Sequence, residues 1–297
     1  MIQQASAEED GDLSRRSPGR TLLLIQKRGI FLTTVHTLAS GSSGNALLVS
    51  CGATHLLVDA GISCRRITAS LAALGLGLDD LDALLITHTH SDHITGLQTL
   101  LKKSGFPILS SGRVGRELSY RLAGVEPRFQ EIELCKQHQI GCLAITAFPT
   151  SHDAPGSCGF RLDGPDGSMG VLTDTGYVTQ EAADILPGVD LALLEANHDV
   201  EALRSGPYPY YLKERILSSQ GHLCNEDAAR FAVTLAEAGA SEIVLAHLSR
   251  ENNTPAMARN AVETALSAAG FAPVLEVAPR DCLSEAYPVI RRAVCRK

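Results

Sequence analysis

The stretch LLITHTHSDHITGL, residues 84–97, places His88, His90, Asp92 and His93 within six positions, directly after an apolar run. Imidazole nitrogens with a carboxylate among them form a donor set for Zn²⁺, Mn²⁺ or iron, and the end of a strand lets several side chains converge on one point. A helix-capping role would account for Asp92 alone and leave three histidines unexplained. One such cluster cannot close a two-metal site, so further donors are sought where other apolar runs end. Three ends carry one: His152 in TSHDA after CLAITAFPT, Asp174 in TDTG after MGVLT, and His247 in AHLS after EIVLA. A lone loop histidine is commonly a surface residue. Three donors in the same position relative to an apolar run point instead to one shared edge.

The elements that must bring these donors together follow from periodicity and turn residues. FLTTVHTLA, NALLVS and HLLVDAG are short β-like runs with the tight SGSSGN loop (40–45) between the first two, which predicts an antiparallel meander. Ser63 is placed to cap a helix through about Leu74, DALLIT (82–87) has the composition of a buried strand, and a helix over 94–103 is expected just after the histidine cluster. FPILSS, CLAITAFPT, GFRLD and SMGVLTDTG predict a second meander, and DLALLEANH one more buried strand. Helices are expected near 209–219 and 225–238, followed by strand EIVLAHLS, a helix capped by Thr254 with Pro255 in its first turn, and a last strand APVLEVA. With neither repeat nor low-complexity linker, this order predicts one domain over 31–297. Its two β-rich halves are flanked by helices, and residues 1–30 form a disordered extension.

Bulk properties narrow the function classes. The chain of 297 residues is 44% hydrophobic, enough for a sizeable core. A formal charge of −7 gives no general attraction for polyanions, so a nucleic acid would have to be held by bound cations or a few local groups. Eight cysteines without a C-x-x-C pair argue against a zinc ribbon and for reduced thiols in a cytoplasm. The apolar segment 21–25 is too short for an export signal and is followed by Gln26, Lys27 and Arg28. No run approaches the roughly 20 apolar residues of a membrane helix, so no membrane partner is expected.

The pattern His-x-His-x-Asp-His after a strand, then a strand-end histidine, the TDTG aspartate and a final strand-end histidine, resembles the metallo-β-lactamase fold. That fold is mixed α/β (α+β), a four-layer αββα sandwich with two metals at one edge. LASGSSGNALLV, LLVDAGIS, ITHTHSDHITGL, ANHDVEAL, GPYPYYLKERILS, GHLCNEDAA and AHLSRENNTPAMA resemble its YycJ/WalJ-type branch, related to the tRNA 3′-processing nucleases, over about residues 32–278. The resemblance implies two divalent ions, Zn²⁺ or Mn²⁺ with iron also acceptable. His88, His90 and His152 would hold one, Asp92, His93 and His247 the other, and Asp174 would bridge them. Asp59 of VDAG would support the ligand loops rather than bind metal. Water held between two such cations becomes a nucleophile at neutral pH, because the metals lower its pKa from about 15.7 toward 7. His222 of GHLCN would donate a proton to the leaving oxygen and Glu195 would orient it, so that Asp92, His222 and Glu195 form the expected catalytic set.

Members of the fold cleave lactams, thioesters and phosphodiesters, so the substrate rests on the site. The tRNA-processing relatives carry a Gly/Pro-rich arm, whereas His152 and Asp174 lie only 22 positions apart, room for one hairpin. The branch resembled implies instead a 5′-to-3′ exonuclease acting on DNA. A thioester or lactam hydrolase and a non-catalytic metal-bound regulatory module are the competing classes. Tyr208 and Lys213, in a segment with Tyr210, Tyr211 and Arg215, can stack bases and meet phosphates. His198, Arg250, Asn252 and Asn253 are further expected substrate contacts. Lys102, Lys103, Arg113, Arg116 and Arg121 fit a solvated helix face. Cys224 stands where the branch often has Ser, so no hydroxyl contact is expected there.

Overall fold

A computed structural model describes residues 32–291, so the expected extension over 1–30 lies outside the described residues. The first meander forms as expected from β1 (Thr33–Ala39), β2 (Ala46–Cys51) and β3 (Thr54–Val58). β4 (Ala83–Leu85), β5 (Ile108–Ser110) and β6 (Phe129–Glu131) then extend it in parallel. The second sheet repeats this plan: β7 (Gln137–Ile140), β8 (Leu143–Pro149), β9 (Cys158–Asp163) and β10 (Ser168–Leu172) run antiparallel. β11 (Leu191–Glu195), β12 (Glu242–Ala246) and β13 (Val274–Val277) continue in parallel. β9 and β10 are the single hairpin between His152 and Asp174.

The last strand expected, APVLEVA, is followed by one more. β14 (Tyr287–Val289) returns to the first sheet and pairs antiparallel with β1. Three residues with a central proline give little periodicity to read, and Pro288 is tolerated because β14 sits at the sheet edge.

Nine helices are described: α1 (Cys64–Ala73), α2 (Ser91–Ile94), α3 (Leu97–Leu100), α4 (Gly112–Arg121), α5 (Gln180–Ile185), α6 (Val200–Ser205), α7 (Tyr210–Leu217), α8 (Asn225–Glu237) and α9 (Pro255–Ala268). Ser63 caps α1 by accepting from the Arg66 amide, and Thr254 caps α9 by accepting from the Met257 amide, both as the sequence suggests. The single helix expected over 94–103 is instead α2 and α3. The Gly96 amide donates to the Ala60 carbonyl, and the Asp92 carbonyl accepts from the Asn45 amide. A tertiary partner thus takes each end of the bond that would have continued the helix.

Three apolar clusters define the layers. One joins inner faces of both sheets, Val35, Val49 and Leu56 meeting Phe160, Leu162 and Val244. A second joins the first sheet to α1, α3 and α4, and a third joins the second sheet to α8 and α9. Along β11, Leu191 and Leu193 face the inter-sheet core while Ala192 and Leu194 face the helices. Burial on both faces explains the unbroken LALL run. The result is the expected four-layer αββα sandwich.

Candidate metal centre

Most of the candidate donors lie just beyond a strand. Asp59 follows β3, His88 and His90 follow β4, His152 follows β8, Asp174 follows β10 and His247 follows β12, while Glu195 ends β11 and α2 carries Asp92 and His93. Among the described residues four non-glycines adopt positive φ, and three are here: Asp59 (60°), Asp174 (57°) and His247 (55°). The left-handed conformation is sparsely populated by L-residues and persists only where the surroundings impose it. At these positions it bends the chain sharply at the strand end, where the side chains meet.

The candidate ligands are close together in overlapping groups, which include His88–His93–Asp174 and Asp174–Glu195–His222–His247. Donor atoms of His88, His90 and His152 lie within 4.8 Å of one another, as do those of Asp92, His93 and His247. Asp174 sits between them: its Oδ1 is 3.7 Å from His152 Nε2 and 3.4 Å from His247 Nε2, and its Oδ2 is 3.2 Å from His93 Nε2. His88 Nε2 and Asp174 Oδ2 are buried without a hydrogen-bond partner. Orphaned buried donors and acceptors are rare in folded proteins. Two of them aimed into a nest of imidazoles and carboxylates fit the occupancy of this site by divalent cations.

A supporting layer holds the ligands. Asp59 Oδ2 lies 2.7 Å from His93 Nδ1, and Asp59 Oδ1 accepts from the Thr87 amide at 2.9 Å. The Gly221 carbonyl lies 3.0 Å from His152 Nδ1, and Thr87 Oγ1 is 3.0 Å from His88 Nδ1. Asn45 Nδ2 approaches His93 Nε2 at 3.1 Å, and Asn197 Nδ2 donates to the His247 carbonyl at 2.9 Å. Such partners fix ring orientation and tautomer. Asp59 fills its expected supporting place. Asn45 and Asn197 were not foreseen, and their only sequence signal is that Asn45 closes the SGSSGN loop and Asn197 lies two residues past Glu195.

The electrostatics divide the site. Burial, reinforced by neighbouring imidazoles, depresses the pKa of His88 and of His90, and burial depresses that of His152. Burial also disfavours charge on His93, but Asp174 and Asp59 outweigh it and raise its pKa well above the usual value. For His247, burial is likewise overcome by Asp174, Asp92 and Glu195, raising the pKa to about 10. Burial would raise the Glu195 carboxyl, yet His222 and hydrogen bonds from His222 and His247 hold it at about 2. The buried carboxylates therefore retain positive charge nearby.

His222 Nδ1 lies 2.8 Å from Glu195 Oε1, and His222 lines a cavity of about 310 Å³ with His90, Asp92, His152, Asp174 and His247. Tyr208 and Arg215 line it too. The other expected substrate contacts are placed elsewhere. Lys213 donates to the Arg204 carbonyl at 2.7 Å, and Arg250 pairs with Asp281 at 3.1 Å. His198, Asn252 and Asn253 are buried. The loops after β11 and β12 close on each other: the Ser249 amide donates to the Asn197 carbonyl, the Asp199 amide to the Asn252 carbonyl, and Asn253 to the Ala196 carbonyl. That closure makes Asn252 and Asn253 internal struts, while His198 is buried with neither ring nitrogen hydrogen-bonded. Asp153 was not foreseen. It lies 3.4 Å from His90 Nε2 and accepts a two-point ion pair from Arg215.

Comparisons with known proteins agree with this architecture. A family model described as the beta-lactamase superfamily domain matches residues 54–248, a span containing every donor above. Exodeoxyribonuclease WalJ of Streptococcus pneumoniae is 44% identical over 224 residues, covering 74% of this chain and 83% of that protein. Exodeoxyribonuclease YycJ of Bacillus anthracis is 36% identical over 236 residues, covering 79% and 89%. Among solved structures, the metallo-beta-lactamase fold protein YhfI of Bacillus subtilis superposes with a TM-score of 0.66 at 19% identity, over 86% of this chain and 99% of that one.

Proposed function

The chain belongs to the beta-lactamase superfamily, and on that premise we propose that it is a two-metal phosphodiesterase, an exonuclease degrading DNA from 5′ to 3′. The observation that carries this reading is a complete seven-donor set beside a His222–Glu195 pair, in a chain 44% identical to an exodeoxyribonuclease. His88, His90 and His152 would hold one cation, Asp92, His93 and His247 the other, and Asp174 would serve both. Zn²⁺ or Mn²⁺ suits these donors. Bound there, the cations would lower the pKa of water from about 15.7 toward 7 and neutralise charge on the phosphodiester.

The protein's own groups do the rest. Glu195 fixes His222 through Nδ1, which leaves Nε2 as the nitrogen that delivers a proton to the departing oxygen. Tyr208 forms part of the cavity wall against which a nucleoside can lie. The seven described cysteines are unpaired, and no helix among the described residues is long and apolar enough to cross a membrane. A cytoplasmic enzyme fits both.

End-labelled single- and double-stranded DNA, with and without a 5′ phosphate, tests the proposal in the presence of Mn²⁺ or Zn²⁺. Wild type is expected to degrade it and Asp92→Ala to fail. His222→Ala should lower kcat by roughly 10²–10⁴-fold, the usual contribution of a positioned proton donor. DNA left intact by wild type and Asp92→Ala alike refutes the reading. Turnover of a thioester or lactam without DNA cleavage would replace it.

A further inference from the structure

A second cavity, of about 640 Å³, adjoins the metal centre: His152 lines both, and Asp153, which lines the second, lies 3.4 Å from His90 Nε2 at the first. Its size suits a ligand of nucleotide dimensions. Leu134, Pro149 and Pro155 give it apolar walls, Gln220 brings an amide, and Arg113 brings a cation. Arg113 is exposed on α4, as its patterning suggests, and also lines this cavity. Asp153 is already neutralised by Arg215, whereas Arg113 makes no ion pair or hydrogen bond among the described residues. It is the cavity's uncommitted positive charge.

Arg113 is also held at a fixed offset from a metal ligand. Ser111 Oγ donates to the Gly156 carbonyl at 2.7 Å, tying the start of α4 to loop 150–157, which carries His152. That loop is closed by the Thr150 amide on the Ser157 carbonyl at 3.1 Å. Gly156 packs so closely that a Cβ there would come within 2.4 Å of Arg113 Cβ.

Resting on the exonuclease reading, we propose that this cavity receives the 5′-terminal nucleotide of the DNA chain. Its base lies against Leu134, Pro149 and Pro155 and its terminal phosphate on the Arg113 guanidinium, while the next phosphodiester reaches the metal centre past His152 and Asp153. The cavity thereby selects a phosphorylated 5′ end.

The test measures binding and turnover together on the Mn²⁺-loaded protein. Calorimetry with 5′-dAMP and with deoxyadenosine should show the phosphate favoured in wild type. Arg113→Ala should remove about tenfold or more of that preference, the scale of one charge-assisted contact, and Arg113→Lys should restore part of it. For a 5′-phosphorylated oligonucleotide, KM should rise by a similar factor in Arg113→Ala and in Gln220→Trp, which narrows the cavity from another wall. Hydrolysis of bis(p-nitrophenyl) phosphate, too small to need the cavity, should be unchanged. Equal binding of dAMP and deoxyadenosine to wild type, or unchanged dAMP affinity and KM in Arg113→Ala, overturns the proposal. A wild type that cleaves no diester but binds dAMP through Arg113 would refute the exonuclease reading and leave the nucleotide cavity standing.

Discussion

Asp59→Asn isolates what the supporting layer contributes to metal binding. The side chain is buried, in a backbone conformation with φ of 60°, and its two oxygens divide their work. Oδ1 accepts from the Thr87 amide at 2.9 Å, while Oδ2 faces His93 Nδ1 at 2.7 Å and Thr87 Oγ1 at 2.9 Å. Asparagine keeps the shape and can keep one acceptor for Thr87, but it meets His93 with an NH₂ group or an uncharged oxygen. What is lost is one buried charge-assisted hydrogen bond, about 1.5–3 kcal/mol. At about 1.4 kcal/mol per decade this weakens cation binding roughly 10- to 100-fold, matching the usual effect of removing such a partner. The loss should fall on the cation position proposed for Asp92, His93 and His247. The position proposed for His88, His90 and His152 is coupled to Asp59 only through Thr87 and should change by less than about threefold. Competition with a chromophoric zinc chelator, fitted to two sites, reads both affinities, and circular dichroism confirms that the fold persists. Two affinities each within twofold of wild type would refute the role assigned to Asp59.

Gly61→Ala should disrupt the ligand loop, since a Cβ there would lie 1.6 Å from the Asp92 carbonyl oxygen and 2.7 Å from the Asn45 amide nitrogen, both backbone atoms. A loss of roughly 3 kcal/mol or more, about 6–12 °C in Tm, is expected, and a melt within 2 °C of wild type would contradict the geometry. Buried His198, both of whose ring nitrogens lack hydrogen-bond partners, has its pKa depressed to about 4, chiefly by burial against the opposing field of Glu195. The unfolded chain binds this proton below about 6.5 and the folded one does not, so stability present above that pH falls by about 2 kcal/mol by pH 5. Urea unfolding of wild type and His198→Phe at pH 7 and 5 should show that extra loss only in wild type; equal losses sink the assignment. Burial pushes the Cys158 thiol up to about 12, whereas Cys282 is exposed. Iodoacetamide at pH 8 should therefore label Cys282 and spare Cys158 in the native protein, and peptide mass spectrometry finding native label on Cys158 would show the core to be open.

Five of the seven proposed donors, His88, His90, His152, Asp174 and His247, could be picked out because each stands just past an apolar run, and such runs are strands buried on both faces whose ends must meet at a sheet edge; Asp92 and His93 follow in the short helix α2. Asp174 and His247 illustrate this: each follows a fully buried strand of the second sheet within two residues. The helix expected over 94–103 was misjudged because its interruption comes from Asn45 and Ala60, tertiary partners that no local pattern records. Asn252 and Asn253 look like loop polar groups free to meet phosphate. They are instead consumed by a loop-to-loop bond network with Ser249, Ala196 and Asn225. Arg113 is exposed, as its type and spacing suggest, but local pattern does not show that loop 150–157 packs beside it and makes it part of a cavity wall. Strand ends are encoded locally, whereas the partner a loop closes upon is decided only by the fold.

That distinction bears on how a chain of net charge −7 can work on a polyanion. Near the metal centre Arg215 is spent on Asp153, and Arg121 on the Thr89 carbonyl and Glu117. Asp92, Asp174 and Glu195 add negative charge at the point where the phosphodiester must lie. These carboxylates disfavour a phosphodiester at the reacting position unless positive charge is held among them, which bound cations would supply, with Arg113 the uncommitted guanidinium beside them. Excess acidity is thus compatible with a nuclease when the positive charge is concentrated at the site. It keeps the rest of the surface from holding DNA without cleaving it, so that binding depends on the same few groups as turnover.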